Sequence, residues 1–366
     1  MHLKTYHIVL ALTAAALLIG GCTDRNSLDT GGSEIVFASP SVQGVMGSKA
    51  ILEEGTAFEE GDIISVSAWH ERGASGEQKV FGNDGNSEYQ EIRCPASGNW
   101  IYTPKKKWQW QDSDWYDFVG VAYKRNAAEH PKRVIRQDGI SIRKETGSFL
   151  TLSVPYDAES GQYDLLMAGT RRDVLESNPS RVVELDFKHM LSAVKVVFYK
   201  DVGLDYYILS YHFSNLLASA DVQYGWIDGE GFVERTANAI RRSASLFGWT
   251  FDSSNTPKIT ATYTRTNPYD HDADVYDLLL PQDLAPDDAI PQLVVEFKDG
   301  GGNVYSRSVD LKLIPQEDDN EKFITEWKPG YKYTYVIGIS LDAGVLVRVT
   351  TTPWTEIDAK TPGLII

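Results

Sequence analysis

Ile63-Ile64-Ser65-Val66-Ser67-Ala68-Trp69 alternates apolar and small polar side chains, with Ile64, Val66 and Ala68 on one face. A period of two is the mark of a half-buried β-strand. The pattern recurs along the chain. Phe149 to Val154 alternates on Leu150, Leu152 and Val154, and Val194 to Tyr199 is a β-branched and aromatic run. Leu293 to Phe297, Tyr305 to Leu313 and Tyr331 to Ser340 follow the same rule. Turn clusters separate these runs, such as Gly82-Asn83-Asp84-Gly85-Asn86 and Lys298-Asp299-Gly300-Gly301-Gly302-Asn303, and the second predicts a hairpin. One stretch, Ala237 to Phe247, has helical spacing on Ala239, Ile240 and Ala244. Many short strands bounded by Gly and Pro turns predict an all-β chain built of β-sandwiches. No period of 20–50 residues marks a solenoid or propeller.

The first residues carry an address. Lys4 supplies a positive start, Ile8 to Ile19 is apolar, and Gly20-Gly21 precede Cys22. That order describes a secretory signal in residues 1–21. The apolar run is shorter than the ~20 residues a membrane-spanning helix needs. Ile19-Gly20-Gly21-Cys22 resembles the bacterial lipobox, which implies acylation of Cys22 and an outer-membrane lipid as its partner. Residues 22–33 are polar, contain Gly and Ser, and lack apolar periodicity, so they read as a flexible tether.

The 366 residues suggest two domains. The polar, Pro-bearing stretch Glu176-Ser177-Asn178-Pro179-Ser180-Arg181 places the boundary between 34–180 and 181–366. The formal charge is −16, and removal of Lys4 with the signal makes it −16 − 1 = −17. That balance opposes nucleic-acid binding, which needs clustered cations. It also leaves anchoring to the acyl chains rather than to anionic lipid. With Cys22 acylated, no second cysteine is left to oxidise with Cys94, so no internal disulfide or Cys-based zinc site is expected. Cys94 is expected half-buried in a strand.

No catalytic motif stands out. The chain has no Gly-x-Ser-x-Gly elbow, His-Glu-x-x-His or phosphate-cradling loop. His189 reads as a structural histidine. Asp270-x-Asp272-x-Asp274 opens like a calcium loop, but Val275 stands where Gly is needed and Pro281 where a bidentate Glu is needed. The expectation is no enzyme, no metal and no cofactor. Trp100, Trp108, Trp110, Trp115 and Tyr116 cluster closely. Buried, they are sandwich core; exposed, they would stack on sugar rings.

Several segments, in order, carry a resemblance. They are Phe58 to Val66; Trp100-Ile101-Tyr102-Thr103-Pro104 with Trp108 and Trp110; Tyr116 to Tyr123; and Tyr163 to Ala168. Leu185-Asp186-Phe187-Lys188-His189-Met190-Leu191-Ser192-Ala193-Val194 follows, then Asp277 to Gln282, Trp327 to Tyr333 and Pro353-Trp354. Together they resemble the fimbrillin family, subunits of the type V pili of Gram-negative anaerobes. The resemblance implies two transthyretin-like sandwiches, export as an outer-membrane lipoprotein, and a structural or adhesive role in a cell-surface fimbria. It implies other pilus subunits as partners, with assembly by strand exchange. An amino-terminal strand is cut away, and a neighbour's strand fills the groove.

Here the removable strand would be Glu34 to Ala38, with Ile35 and Phe37 facing one way. The cut would fall in Gly47-Ser48-Lys49-Ala50, between Lys49 and Ala50. The family's usual cut follows Arg, yet no Arg lies between Arg25 and Arg72. Shaft, anchor and tip roles therefore stay open. Val345, Val347 and Val349 alternate, and Gly363 to Ile366 ends apolar. These are either exchanged strands or core strands of the second sandwich. A surface lipoprotein that binds glycans through exposed aromatics is the alternative function, and host protein or glycan is the further partner considered. Cys22→Ala is expected to abolish fatty-acid labelling of the protein in envelopes and to move it out of the detergent phase.

Overall fold

The structure is a computed structural model. It describes residues 34–38, 41–42, 58, 60–71, 77–82, 89–108, 115–125, 141–144, 150–157, 163–173, 182–201, 203, 205–227, 231–242, 246–254, 256–271, 276–287, 289–317, 321–340 and 344–353. Cys22, Lys49, Ala50, Trp110 and the Gly363–Ile366 tail lie outside these residues.

The first half supplies β1 (Val36–Phe37), β2 (Ser41–Val42), β3 (Ile63–Glu71), β4 (Glu77–Phe81), β5 (Gln90–Arg93), β6 (Trp115–Arg125), β7 (Ser141–Lys144), β8 (Leu150–Asp157) and β9 (Tyr163–Asp173). Next come β10 (Val182–Val183), β11 (Asp186–His189), β12 (Ser192–Lys200), β13 (Tyr206–Ser214), β14 (Leu216–Ile227), β15 (Gly231–Arg242), β16 (Leu246–Thr250) and β17 (Lys258–Ile259). The last are β18 (Asp277–Leu279), β19 (Gln282–Asp283), β20 (Gln292–Asp299), β21 (Val304–Asp310), β22 (Glu326–Trp327), β23 (Tyr331–Ser340) and β24 (Gly344–Pro353). A 3-10 turn at Leu311–Leu313 is the one helical element among the described residues.

The architecture is all-β, as the alternation predicts. The N-terminal body is a sheet of order β2-β11-β9-β6-β3-β4, with β5 also paired to β3. Its inner side chains, Ile64, Val66, Ala68, Phe81, Phe118 and Phe187, pack against Ile35, Phe37, Trp100, Tyr102 and Val183. The C-terminal body stacks a sheet of order β18-β12-β23-β24 on one of order β16-β13-β20-β21. Val194, Val196, Phe198, Tyr335 and Ile337 meet Tyr206, Ile208, Phe213, Val295 and Phe297 in that core. Strand β12 is buried at every residue except Lys195 and Lys200, so both faces are covered and the run reads as continuously apolar. It lies parallel to β23, with Tyr199 opposite Gly338. A Cβ at Gly338 would stand 2.4 Å from the Tyr199 ring, so only glycine fits there.

A fourth sheet, β15-β14-β8-β7, joins strands from both halves. Strands β10 and β11, beyond residue 181, pair with β1, β2 and β9 of the N-terminal body. The chain changes body at His189: Val183, Leu185 and Phe187 fill the first core. Met190 and Leu191 fill the second, which also takes in Val119, Val121 and Met167.

Two expectations are corrected. The described residues within 237–247 form no helix; 237–242 end β15 and 246–247 begin β16. Strand β15 pairs along β14 from Ile227↔Gly231 to Leu216↔Arg242, and that ladder overrides the helical spacing of three apolar residues. Cys94 is buried and sits one residue beyond β5, its Sγ near the Phe58 carbonyl at 4.0 Å.

Many described residues of the family-like segments are buried in the two cores. Gln282 is buried and accepts a hydrogen bond from the Leu217 N–H at 2.9 Å while donating to the Leu280 carbonyl at 3.1 Å. Trp327 Nε1 donates to the Tyr335 hydroxyl at 2.9 Å. Asp277, half-buried in β18, has its carboxyl desolvated, which pushes its pKa up from 3.8 to about 7. A raised acid favours the folded state only while protonated. The cost of ionising it begins near pH 4 and is complete above about 7. Asp277→Asn is therefore expected to raise stability at alkaline pH by on the order of 1–3 kcal/mol and to change nothing below pH 4. Urea unfolding across that range checks this.

Candidate functional site

The strand β1 lies in a slot with partners on both sides. On one side it runs parallel to β10, with Val36 opposite Val182 and Phe37 opposite Val183. The Ala38 N–H donates to the Val183 carbonyl at 2.9 Å. On the other side lies the segment from Trp100 to Lys107. The Ile35 N–H donates to the Lys106 carbonyl at 2.9 Å, and the Trp100 N–H donates to the Phe37 carbonyl at 3.2 Å. Bridges Glu34↔Lys107 and Phe37↔Trp100 mark the antiparallel register. A short segment bonded on both sides is held like a central strand although it is only a few residues long.

Its side chains seal the core. Ile35 is 0% and Phe37 1% exposed. The Phe37 ring meets Phe81, Tyr102 and Phe118 edge to face, with centroids 5.7, 5.9 and 5.9 Å away. Such pairs add about 0.5–1.5 kcal/mol each beyond burial. Tyr102 adds a side-chain latch: its hydroxyl donates to the Ile35 carbonyl at 2.7 Å and accepts from the Lys106 N–H at 3.3 Å. Burial pushes the Tyr102 hydroxyl up to about 12, against the Lys106 N–H and helped by the charge of Glu34. It stays protonated and able to donate at any physiological pH. Sequence alone marks Tyr102 only as part of Trp100-x-Tyr102. Its partner lies 67 residues away, so no local signal reveals the latch.

The other sequence-derived candidates fall elsewhere. Strand β24 pairs along its length with β23, from Tyr331↔Pro353 to Ser340↔Gly344. Val347 is 5% and Val349 0% exposed, and Val345 packs against the same core. The Val349 N–H and carbonyl also bond Pro315 and Glu317 at 3.1 and 2.9 Å. Trp100, Trp108 and Tyr116 are buried. Trp115 is half-buried, with Arg171 over its ring at 5.2 Å and its Nε1 donating to Glu71 at 2.9 Å. His189 is buried, its Nδ1 3.2 Å from Asp164. Asp270 pairs with Lys195 at 2.5 Å. Among the described residues no group of three or more His, Cys, Asp or Glu could hold a metal ion. No described helix is long and apolar enough to cross a membrane.

Residues 49–354 match the fimbrillin-like family. The chain belongs to that family. Membership places it among the subunits of cell-surface fimbriae. The matched span opens at Lys49, so β1 and β2 of this fimbrillin-like protein lie ahead of it. No curated protein matches the chain. The chain is similar to a fimbrilin from Porphyromonas gingivalis, with 11% identity, a TM-score of 0.41, and coverage of 90% of this chain and 99% of that one. A tip fimbrial protein from Porphyromonas gingivalis, with C-terminal truncation, gives 9% identity and a TM-score of 0.36 over 88% of this chain and 100% of that one. A fimbrial assembly protein from Parabacteroides distasonis gives 10% and 0.34 over 80% and 92%. The family match, not these distant likenesses, carries the assignment.

The slot geometry sets two expected losses. Phe37→Ala should cost about 3–5 kcal/mol of stability, because the surrounding rings cannot collapse into the void. Tyr102→Phe should cost about 1–2 kcal/mol, since the Ile35 carbonyl and Lys106 N–H both lose a partner. Both are read from denaturant unfolding of the whole chain. A Phe37→Ala loss below about 1 kcal/mol would mean that β1 does not close the core.

Proposed function

We propose that this chain is a subunit of a cell-surface pilus, exported as an outer-membrane lipoprotein through Cys22, whose amino-terminal strand is a replaceable plug. The observation that carries this reading is the two-sided pairing of β1 with Ile35 and Phe37 fully buried. The paired segment is only residues 34–38, with β1 at its centre. They supply backbone bonds on both edges and two apolar anchors on one face. That is what β-strand addition requires of any occupant, since the bonds are sequence-independent and alternate side chains enter pockets. A strand from a neighbouring subunit can supply the same groups once residues ahead of Ala50 are gone.

The C-terminal strand is a poorer candidate for exchange. In our reading Val345, Val347 and Val349 belong to the second core, because withdrawing β24 would break its ladder to β23 and expose Val347 and Val349. Lys49 in place of Arg favours either an uncut, anchor-like subunit or a protease with another preference. The glycan alternative finds no support at Trp100, Trp108 and Tyr116, which are committed to the core.

The test is the intact mass and amino-terminal sequence of the protein from native envelopes. A chain beginning near Ala50 supports strand removal and polymerisation. A chain still beginning at acylated Cys22 rejects the shaft role and leaves the anchor-like subunit.

A further inference from the structure

The rim of the slot carries charge that the floor does not. Lys105-Lys106-Lys107 runs along the edge that receives β1. Lys105 closes on Glu34 at 2.5 Å and lies over the Tyr102 ring at 4.6 Å. Lys106 offers its carbonyl to Ile35, and Lys107 forms the bridge to Glu34. Three adjacent lysines at one edge contrast with a chain of formal charge −16. Behind them the floor is apolar and aromatic: Trp100, Tyr102, Phe81 and Phe118.

We infer that this slot selects its incoming strand by pattern: an acid at the position of Glu34, an aliphatic at Ile35 and an aromatic ring at Phe37. The inference rests on the strand-exchange reading and adds the chemistry of the partner. Backbone pairing is the same for every sequence, so discrimination must come from the alternate side chains and from charge at the entry. The acid is read by Lys105, and the neighbouring lysines add a positive field that disfavours a basic residue there. The ring is read by three edge-on aromatic neighbours, which an aliphatic side chain would meet with fewer contacts.

The same pattern bears on which chain donates the strand. In residues 344–366 an acid followed by an aliphatic occurs at Glu356-Ile357, but Ala359 stands where the ring belongs. No acid–aliphatic–x–aromatic sequence occurs in that tail. The tail of a second copy is therefore the weaker occupant, and the fitting donor is a strand of another pilus subunit that carries an acid, an aliphatic and a ring at these three positions.

The test uses the whole chain with a specific protease site inserted among residues 43–49. It is cut in place, so that the fragment carrying β1 stays bound until exchanged. Labelled peptides compete for the slot: the native 34–42 sequence, its Glu34→Lys form, its Phe37→Ala form and the 353–361 sequence. At low salt the Glu34→Lys peptide is expected to bind about 5-fold more weakly than the native one, as for an exposed ion pair. The gap should shrink at about 0.5 M salt. In a Lys105→Glu chain the order of these two peptides should reverse, which also shows that the variant is folded. The Phe37→Ala and 353–361 peptides should bind at least about 10-fold more weakly than the native one. Equal binding of the native and Glu34→Lys peptides, with Phe37→Ala still weak, overturns charge selection while leaving exchange intact. Native-strength binding of 353–361 overturns the requirement for a ring. If no peptide enters, strand exchange itself fails and the inference falls with it.

Discussion

The N-terminal body is closed by a strand that contributes little chain and much of the seal. Ile35 and Phe37 each remove a large apolar side chain from water, worth about 1.5–3 kcal/mol apiece. The hydrogen bonds to Lys106, Trp100, Val183 and Tyr102 add about 0.5–1.5 kcal/mol each. A domain is stable by only about 5–15 kcal/mol in all. An empty slot would therefore cost a large share of the stability, and it would strand backbone donors and acceptors on two facing segments. Such a body tolerates loss of its plug only if another strand takes its place. That physical demand is what the proposed strand exchange rests on.

The rest of the molecule holds the slot in register. Strand β10 forms one wall and runs on through Leu185 and Phe187 into β11, which pairs with β9. Met190 and Leu191 then enter the second core, and β12 lies at the centre of the C-terminal sheet. The wall of the slot is thus continuous with the central strand of the other body. The N-terminal sheet is covered on both faces, since Val119, Val121 and Met167 belong to the second core and Phe118 and Ala122 to the first. This explains why β3 is buried at Ser65 and Ser67 as well as at Ile64 and Val66.

Strand character is legible wherever one or both faces are buried, because alternation and β-branching are local. Ile64, Val66 and Ala68 sit on the face the alternation assigns them. The β20–β21 hairpin follows from its glycine-rich turn, with Lys298 opposite Val304. At residues 237–242 local spacing misleads, because the long β14–β15 pairing outweighs the helical placement of Ala239 and Ile240. Burial of the tryptophans is not a local property either. Trp100 and Trp108 are core only because β1 and β6 lie against them. The site is legible as an apolar strand at Ile35 and Phe37, but not as a slot. Its walls, at Trp100–Lys107 and Val182–Val183, come from stretches of chain far from β1 and from each other.

Amide hydrogen exchange of the intact chain, compared with its Phe37→Ala variant, tests the closure most directly. The account predicts that residues 34–38, 100–107 and 182–183 are protected together in the native chain and lose protection together in the variant, while β23 and β24 keep theirs. Free exchange of residues 34–38 in the unaltered chain, or a loss spread evenly over both bodies, would contradict it.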